Sequence, residues 1–236
     1  MTVRWETVKV GTHEMRVYMG VPDKPGTYPC VVIAQHAGGV DAQMQDTVHR
    51  LHREGYIVAA PELFHRQPPT GYDGIARIGL LKDKEILEDL EATIAHMKSG
   101  RSTGAVGIAG FCMGGRVAYL AATSIKGLKA AAVFYGGNIM KPWGEGGKAP
   151  FELTAGIECP IIGLFGGEDT NPSPADVAKI SEELTRQNKW HEFHSYRDAG
   201  HAFENFIAAE RYRPRAARAA WGELLAFFDD RLQSTN

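Results

Sequence analysis

A cysteine between glycines, then an acidic pair, then a histidine follow one another along this 236-residue chain, in an order suited to acyl transfer. Gly110-Phe111-Cys112-Met113-Gly114 is the G-x-S-x-G nucleophile elbow with sulfur in place of oxygen. Glycine is needed on both flanks because the turn brings a strand and a helix backbone close together. The central residue is held strained, with its side chain exposed at the sheet edge. The helix that follows points its free N–H groups and positive end at the sulfur, which favours the thiolate, the nucleophilic form. An isolated free cysteine is more often a buried structural residue. Paired glycines, after a strand and before a helix, reverse that expectation for Cys112. Cys30 and Cys159 start apolar strands and are assigned to the core.

A thiol nucleophile needs a histidine base and an acid that steers the imidazole. In chains built on this elbow the order is nucleophile, acid, histidine. After Cys112 the sequence offers His191, His194 and His201. The first two fall on an expected strand. His201, in Asp198-Ala-Gly-His-Ala-Phe203, falls in the loop beyond it, where a base can reach the sheet edge. The acid is expected after the preceding strand, where Gly166-Gly-Glu-Asp169 supplies Glu168 and Asp169. Such a pair is most often a helix cap or surface turn. The shorter side chain of Asp169 fixes an imidazole more rigidly, yet the residues alone separate it only weakly from Glu168. An oxyanion hole needs the N–H of the residue after the nucleophile, Met113, and a second donor from the loop after the first buried strand. That loop, Ala34-Gln35-His36-Ala37-Gly38-Gly39, offers Ala37.

These groups require strands and helices that alternate, and the chain supplies them. Two alternating strands fill the first twenty residues; Cys30–Ala34 and Tyr56–Ala60 are short apolar runs of the kind buried in a parallel sheet. Ala105–Ala109, Ala130–Tyr135, Pro160–Phe165 and His191–Tyr196 continue the strands. Ala42–Arg53, Lys82–Lys98, Met113–Ser124, Asp176–Gln187 and Arg215–Leu232 are the expected helices. The rhythm predicts a mostly parallel sheet with helices on both faces, in one domain spanning 1–236. Two Gly/Pro-rich stretches, Pro68–Gly74 and Pro142–Pro150, are expected as loops that rim a ligand crevice. A net charge of -2 lacks the basic footprint of a nucleic-acid binder. No apolar run reaches the roughly 18–20 residues of a membrane span. No signal peptide is visible, so a cytoplasmic location is expected. Three scattered cysteines suit neither a disulfide framework nor a zinc site.

With these motifs in place, the chain resembles the dienelactone hydrolase (carboxymethylenebutenolidase) family of small α/β-hydrolases with a cysteine nucleophile. The resemblance runs from about Cys30 to Asp229 and rests on Ala34-Gln35 with Gly39 beyond, Pro61-Glu-Leu-Phe-His-Arg-Gln67, Gly110–Gly115, Gly166–Asp169 and Ala199–Phe203. It implies an α/β-hydrolase fold and a triad of Cys112, Asp169 and His201, which favours Asp169 over Glu168. It also implies hydrolysis of a lactone or of an enol or carboxylic ester through a thioacyl-enzyme, without metal or cofactor. The partner expected is a small-molecule substrate, with no nucleic acid or membrane; monomer and dimer are both open.

Two positions depart from the family pattern. A glutamate that contacts the resting thiol is replaced by His36, and an arginine four residues beyond the histidine, which holds a substrate carboxylate, is replaced by Asn205 beside Glu204. His36 and Asn205 are therefore pocket candidates, with Arg66 and Arg77 as substitute cations. Two rival readings stand beside the esterase: a non-catalytic small-molecule binding module on the same fold, and a thioesterase or other acyl hydrolase using the same triad.

Overall fold

Strands β1 (Thr2–Val10) and β2 (His13–Val21) form an antiparallel hairpin at one edge of the sheet. Its turn contains Gly11, which adopts the left-handed conformation with φ 59°. The computed structural model describes residues 2–68 and 73–233. Beyond the hairpin the chain alternates: β3 (Tyr28–Ala34), α1 (Ala42–Arg53), β4 (Ile57–Pro61), a short α2 (Gly74–Ile78), α3 (Asp83–Lys98), β5 (Thr103–Phe111) and α4 (Met113–Ser124). Then come β6 (Leu128–Phe134), a 3-10 turn (Pro150–Gly156), β7 (Ile161–Gly166), α5 (Pro174–Arg186), β8 (His191–Tyr196) and α6 (Pro214–Leu232).

The eight strands make one sheet in the order β1-β2-β4-β3-β5-β6-β7-β8. From β4 onward all neighbours are parallel. Alternation of side chains along each strand creates two cores. On β3, Cys30, Val32 and Ala34 face α3 and α4, packing with Ile86, Leu90 and Val117. Val31 and Ile33 face α1 and α6, packing with Met44, Val48 and Leu224. Both faces are covered, which is why these strands read as unbroken apolar runs rather than alternating ones.

The order also fixes where chemistry can sit. After β3 the chain crosses to β4 on one side, then returns to place β5 on the other. Loops leaving β3 and β5 therefore diverge and open a crevice at the carboxyl ends of the strands. The loops after β7 and β8 border the same edge. Every sequence-expected strand and helix is present, with boundaries shifted by a residue or a few. Two additions lie in the Gly/Pro-rich stretches: α2 begins at Gly74, where one loop was expected to end, and the 3-10 turn begins at Pro150. Asp73 caps α2 by accepting from the Ala76 N–H at 2.8 Å. Residues 69–72 of the first stretch lie outside the described residues. Among the described residues no helix is long and apolar enough to cross a membrane.

Candidate active site

Strand β5 ends at Phe111 and α4 begins at Met113, so one residue makes the turn. Cys112 takes φ 58° and ψ -118°, a conformation that costs a non-glycine residue on the order of 1–3 kcal/mol. The strain is held at both ends: the Cys112 N–H donates to the Phe134 carbonyl at 3.1 Å, and its carbonyl accepts from the Gly115 N–H at 2.9 Å. The flanking glycines are a matter of space. A Cβ on Gly110 would lie 1.8 Å from the Gly114 oxygen, and one on Gly114 would lie 2.0 Å from the Ala34 oxygen. No side chain fits either gap.

The elbow aims the Cys112 sulfur at His201, whose Nε2 lies 3.0 Å from Sγ. On the other side of the ring, Nδ1 lies 2.8 Å from Oδ2 of Asp169. Asp169 is buried, with Oδ1 accepting from the Asn171 N–H at 2.9 Å; Glu168 is exposed. The acid and histidine loops are sewn together by Glu168 N–H to Ala199 O at 2.9 Å and Gly167 N–H to Tyr196 O at 2.8 Å. A Cβ on Gly166 would meet the Ala199 oxygen at 2.5 Å, so glycine there lets the two loops touch. The Tyr135 ring packs edge-on to the imidazole at 5.3 Å between centroids.

These contacts decide the protonation of the imidazole. Burial opposes charge on His201, but the hydrogen bonds to Asp169 and Cys112 and the field of both groups outweigh it, pushing its pKa up to about 10. His201 thus keeps a proton at neutral pH. By contrast, burial pushes the thiols of Cys30 and Cys159 up to about 11, and both lie in the core. Cys112 is only partly buried.

A cavity of about 320 Å³ opens over the sulfur, lined by Cys112, Met113, Asp169 and His201 on its floor. Ile75, Ile78 and Trp143 form its walls, with Gly137, Asn138, Thr170 and Asn171 completing it. Met113 is the first residue of α4, so its N–H has no acceptor within the helix. Ala37 lines a separate cleft of about 710 Å³ together with Gly38, Gly39, Arg16 and Arg77.

The remaining expected pocket residues are placed elsewhere. His36 folds back on its own loop: Nδ1 accepts from the Gly38 N–H at 2.9 Å and Nε2 lies 3.0 Å from Asp41. Asn205 caps a turn, accepting from the Ile207 N–H at 3.0 Å. Arg66 pairs with buried Asp89 at 2.6 Å. Arg77 donates to the Pro68 carbonyl at 2.8 Å and lies over the Phe64 ring. None of the four lines the cavity over Cys112. His191 bonds Ser181 Oγ at 2.8 Å, and His194 sits beside Glu192 and Glu223. Those last three could each turn one ligand atom to a metal ion, but they lie at the β8 edge, outside the cavity lining.

Two networks had no clear signal in the sequence. Glu204, two-way bonded to Gln43 at 2.8 Å and Arg50 at 3.1 Å, is almost fully buried and ties the histidine loop to α1. Burial raises its carboxyl to about 7 even though Gln43 and Arg50 oppose the shift. The second network centres on Arg116, one turn beyond the elbow and fully buried. Its guanidinium forms a fork on Asp83 at 2.6 and 2.9 Å and donates to the carbonyls of Asn138 and Lys141. It stacks under the Trp143 ring with 3.8 Å to the centroid.

The model of the dienelactone hydrolase family matches residues 15–232. The chain belongs to the dienelactone hydrolase family. A Synechocystis protein named "Putative carboxymethylenebutenolidase" is 35% identical over 228 residues, covering 92% of each chain. A Bradyrhizobium protein named "Probable 2-oxo-3-(5-oxofuran-2-ylidene)propanoate lactonase" is 26% identical, over 96% of this chain and 94% of its own. Among solved structures, a Klebsiella pneumoniae protein described as "Putative Dienelactone Hydrolase" superposes with a TM-score of 0.87 at 27% identity, covering 97% of this chain and 99% of that one. The fold is therefore the α/β-hydrolase fold of a dienelactone hydrolase-like hydrolase.

Proposed function

We propose that this dienelactone hydrolase family member, acting as a single domain, cleaves a carboxylic ester or lactone through a thioacyl-enzyme on Cys112. The observation that carries the reading is the aligned set of contacts, 3.0 Å from Cys112 Sγ to His201 Nε2 and 2.8 Å from His201 Nδ1 to Asp169. A base within hydrogen-bond reach of a nucleophile, itself steered by a third group, is the arrangement nucleophilic catalysis needs.

In this mechanism His201 already holds the proton of Cys112, and the sulfur, as the thiolate, attacks the ester carbonyl, forming a carbon–sulfur bond as the carbonyl electrons move to oxygen. The Met113 N–H, free at the start of α4, receives the developing oxyanion, with Ala37 as the second donor. The carbon–oxygen bond then breaks, and the His201 proton passes to the leaving alkoxide or enolate. Water enters against the thioester, gives its proton to His201, and the thiolate departs. Asp169 holds the ring in one orientation throughout. The raised pKa of His201 supplies the proton needed by the leaving oxygen.

Cys112→Ala tests the reading against a panel of aryl esters and lactones. Turnover should fall by a factor of about 10³ or more, as loss of a nucleophile does elsewhere. Undiminished turnover would remove Cys112 from the reaction.

A further inference from the structure

During turnover of an open-chain ester the acyl group stays bonded to sulfur after the alcohol has left, so it must lie in the space that the sulfur faces. Here that space is the cavity of about 320 Å³, at the small end for ligand sites. Its large apolar lining residues are Ile75, Ile78, Met113 and Trp143. Among the described residues, the only ionisable side chains in the lining besides Cys112 are Asp169 and His201, which are already paired with each other. Residues 69–72 are Pro-Thr-Gly-Tyr, so every lysine and arginine of the chain lies within the described residues, and none lines this cavity. Arg77, between Ile75 and Ile78 in the chain, is committed to the Pro68 carbonyl, and Arg66 to Asp89.

The wall is also fixed in place. Trp143 exchanges two backbone contacts with Asp83: its N–H donates to Oδ2 at 2.9 Å, and its carbonyl accepts from the Asp83 N–H at 3.0 Å. Arg116 is forked on the same carboxylate and stacked on the indole, and its backbone N–H bonds to the carbonyl of Cys112 at 3.4 Å. The indole is thus anchored through Arg116 to the helix that carries the elbow. The arginine charge is spent on Asp83 and shielded by the ring, so it presents no cation to a ligand.

We propose, resting on the esterase reading above, that the substrate carries an uncharged, apolar acyl group and that Trp143 is the residue limiting its length. A carboxylate in the acyl chain would lose water against Ile75, Ile78 and Trp143 and find, among the described residues, no cation except His201, which is already paired with Asp169.

The test compares p-nitrophenyl hexanoate with mono-p-nitrophenyl adipate, in which a carboxylate replaces the terminal methyl. The expected kcat/KM ratio favours the hexanoate by about a hundredfold or more. Ile75 is exposed, so Ile75→Arg leaves the fold intact and should narrow that ratio at least about tenfold by raising adipate turnover. Trp143→Ala should raise the decanoate-to-hexanoate ratio by about tenfold; Trp143→Phe, which keeps a ring on Arg116, should raise it less. Equal or better turnover of the adipate, or a ratio indifferent to Ile75→Arg, overturns the proposal. An unchanged chain-length profile in both Trp143 variants removes its claim on Trp143. Cys112→Ala separates the two levels: if turnover depends on Cys112 while the neutral preference is missing, this inference alone falls. If turnover survives Cys112→Ala, or neither ester is cleaved, the esterase reading falls with it.

Discussion

The floor of the cleft and its rim are built by different means. Cys112, His201 and Asp169 are held at 2.8–3.0 Å by one another, on loops locked together through backbone hydrogen bonds and glycines that no other residue can replace. The rim at Ile75 and Ile78 rests on a five-residue helix with no buried residue. Between them stands Trp143, on an irregular loop but braced by a buried arginine. On the proposed mechanism, reacting groups require geometry fixed from several strands, whereas a wall that only sorts substrates by size and charge tolerates lighter support. Substitutions on the floor should therefore cost rate or folding, and substitutions on the rim should change selectivity.

The largest effect expected is from His201→Ala. It removes both base and acid, and kcat/KM for any cleaved ester should fall by about 10³–10⁴. A loss below tenfold would mean that the floor does not work as one unit. Next comes Gly114→Ala, which places a methyl 2.0 Å from the Ala34 carbonyl oxygen. Overpacking against backbone should cost about 3 kcal/mol or more, read as a lowered denaturation midpoint. A midpoint matching the unsubstituted chain would contradict the close approach of strand and helix.

Much of this floor was legible in the sequence because its causes are local. Gly110 and Gly114 announce a sharp turn by type and spacing, and Cys112 between them inherits its role from the turn. The order of nucleophile, acid and histidine follows the elbow pattern, whereas the choice of Asp169 over Glu168 rests chiefly on the family resemblance; the apolar runs of β3 to β7 report burial on both faces. The rim was not legible. His36 and Asn205 stand out as departures from the family pattern and Arg66 and Arg77 as substitute cations, yet each is engaged by a neighbour that only the folded chain supplies: Asp41, a turn, Asp89 and the Pro68 carbonyl. Trp143 is one aromatic in a Gly/Pro-rich loop, and its support comes from Asp83 and Arg116, 60 and 27 positions away in sequence. Glu204 was noticed only as an acidic neighbour of Asn205. Its burial against Gln43 and Arg50 depends on how α1 packs.

Glu204 offers a finer probe of the floor. Its carboxyl ordinarily titrates near 4.5 and in the folded protein near 7, chiefly because burial penalises the charge. The folded state therefore binds this proton more tightly. The stability it contributes is fully present below about 4.5 and is lost as pH rises through about 7. Glu204→Gln, which keeps an acceptor for Gln43 without the charge, should flatten the stability profile across that window by on the order of 2–3 kcal/mol. Unfolding curves at pH 5 and pH 8 would measure it, and an unchanged profile would contradict the burial of an ionisable Glu204. The smallest effect belongs to Asn205→Ala, which lies outside the cavity lining: kcat/KM should stay within about threefold. A much larger loss would bring Asn205 into the site after all.

The most direct test of the central claim is the mass of the enzyme quenched during turnover of an aryl ester, followed by mapping of the modified peptide. The account predicts a mass increase equal to the acyl group, located on Cys112, absent from Cys112→Ala and accumulating further when deacylation is slowed. Steady turnover with the acyl group on another residue, or with no adduct under any quench while Cys112→Ala remains active, would contradict it.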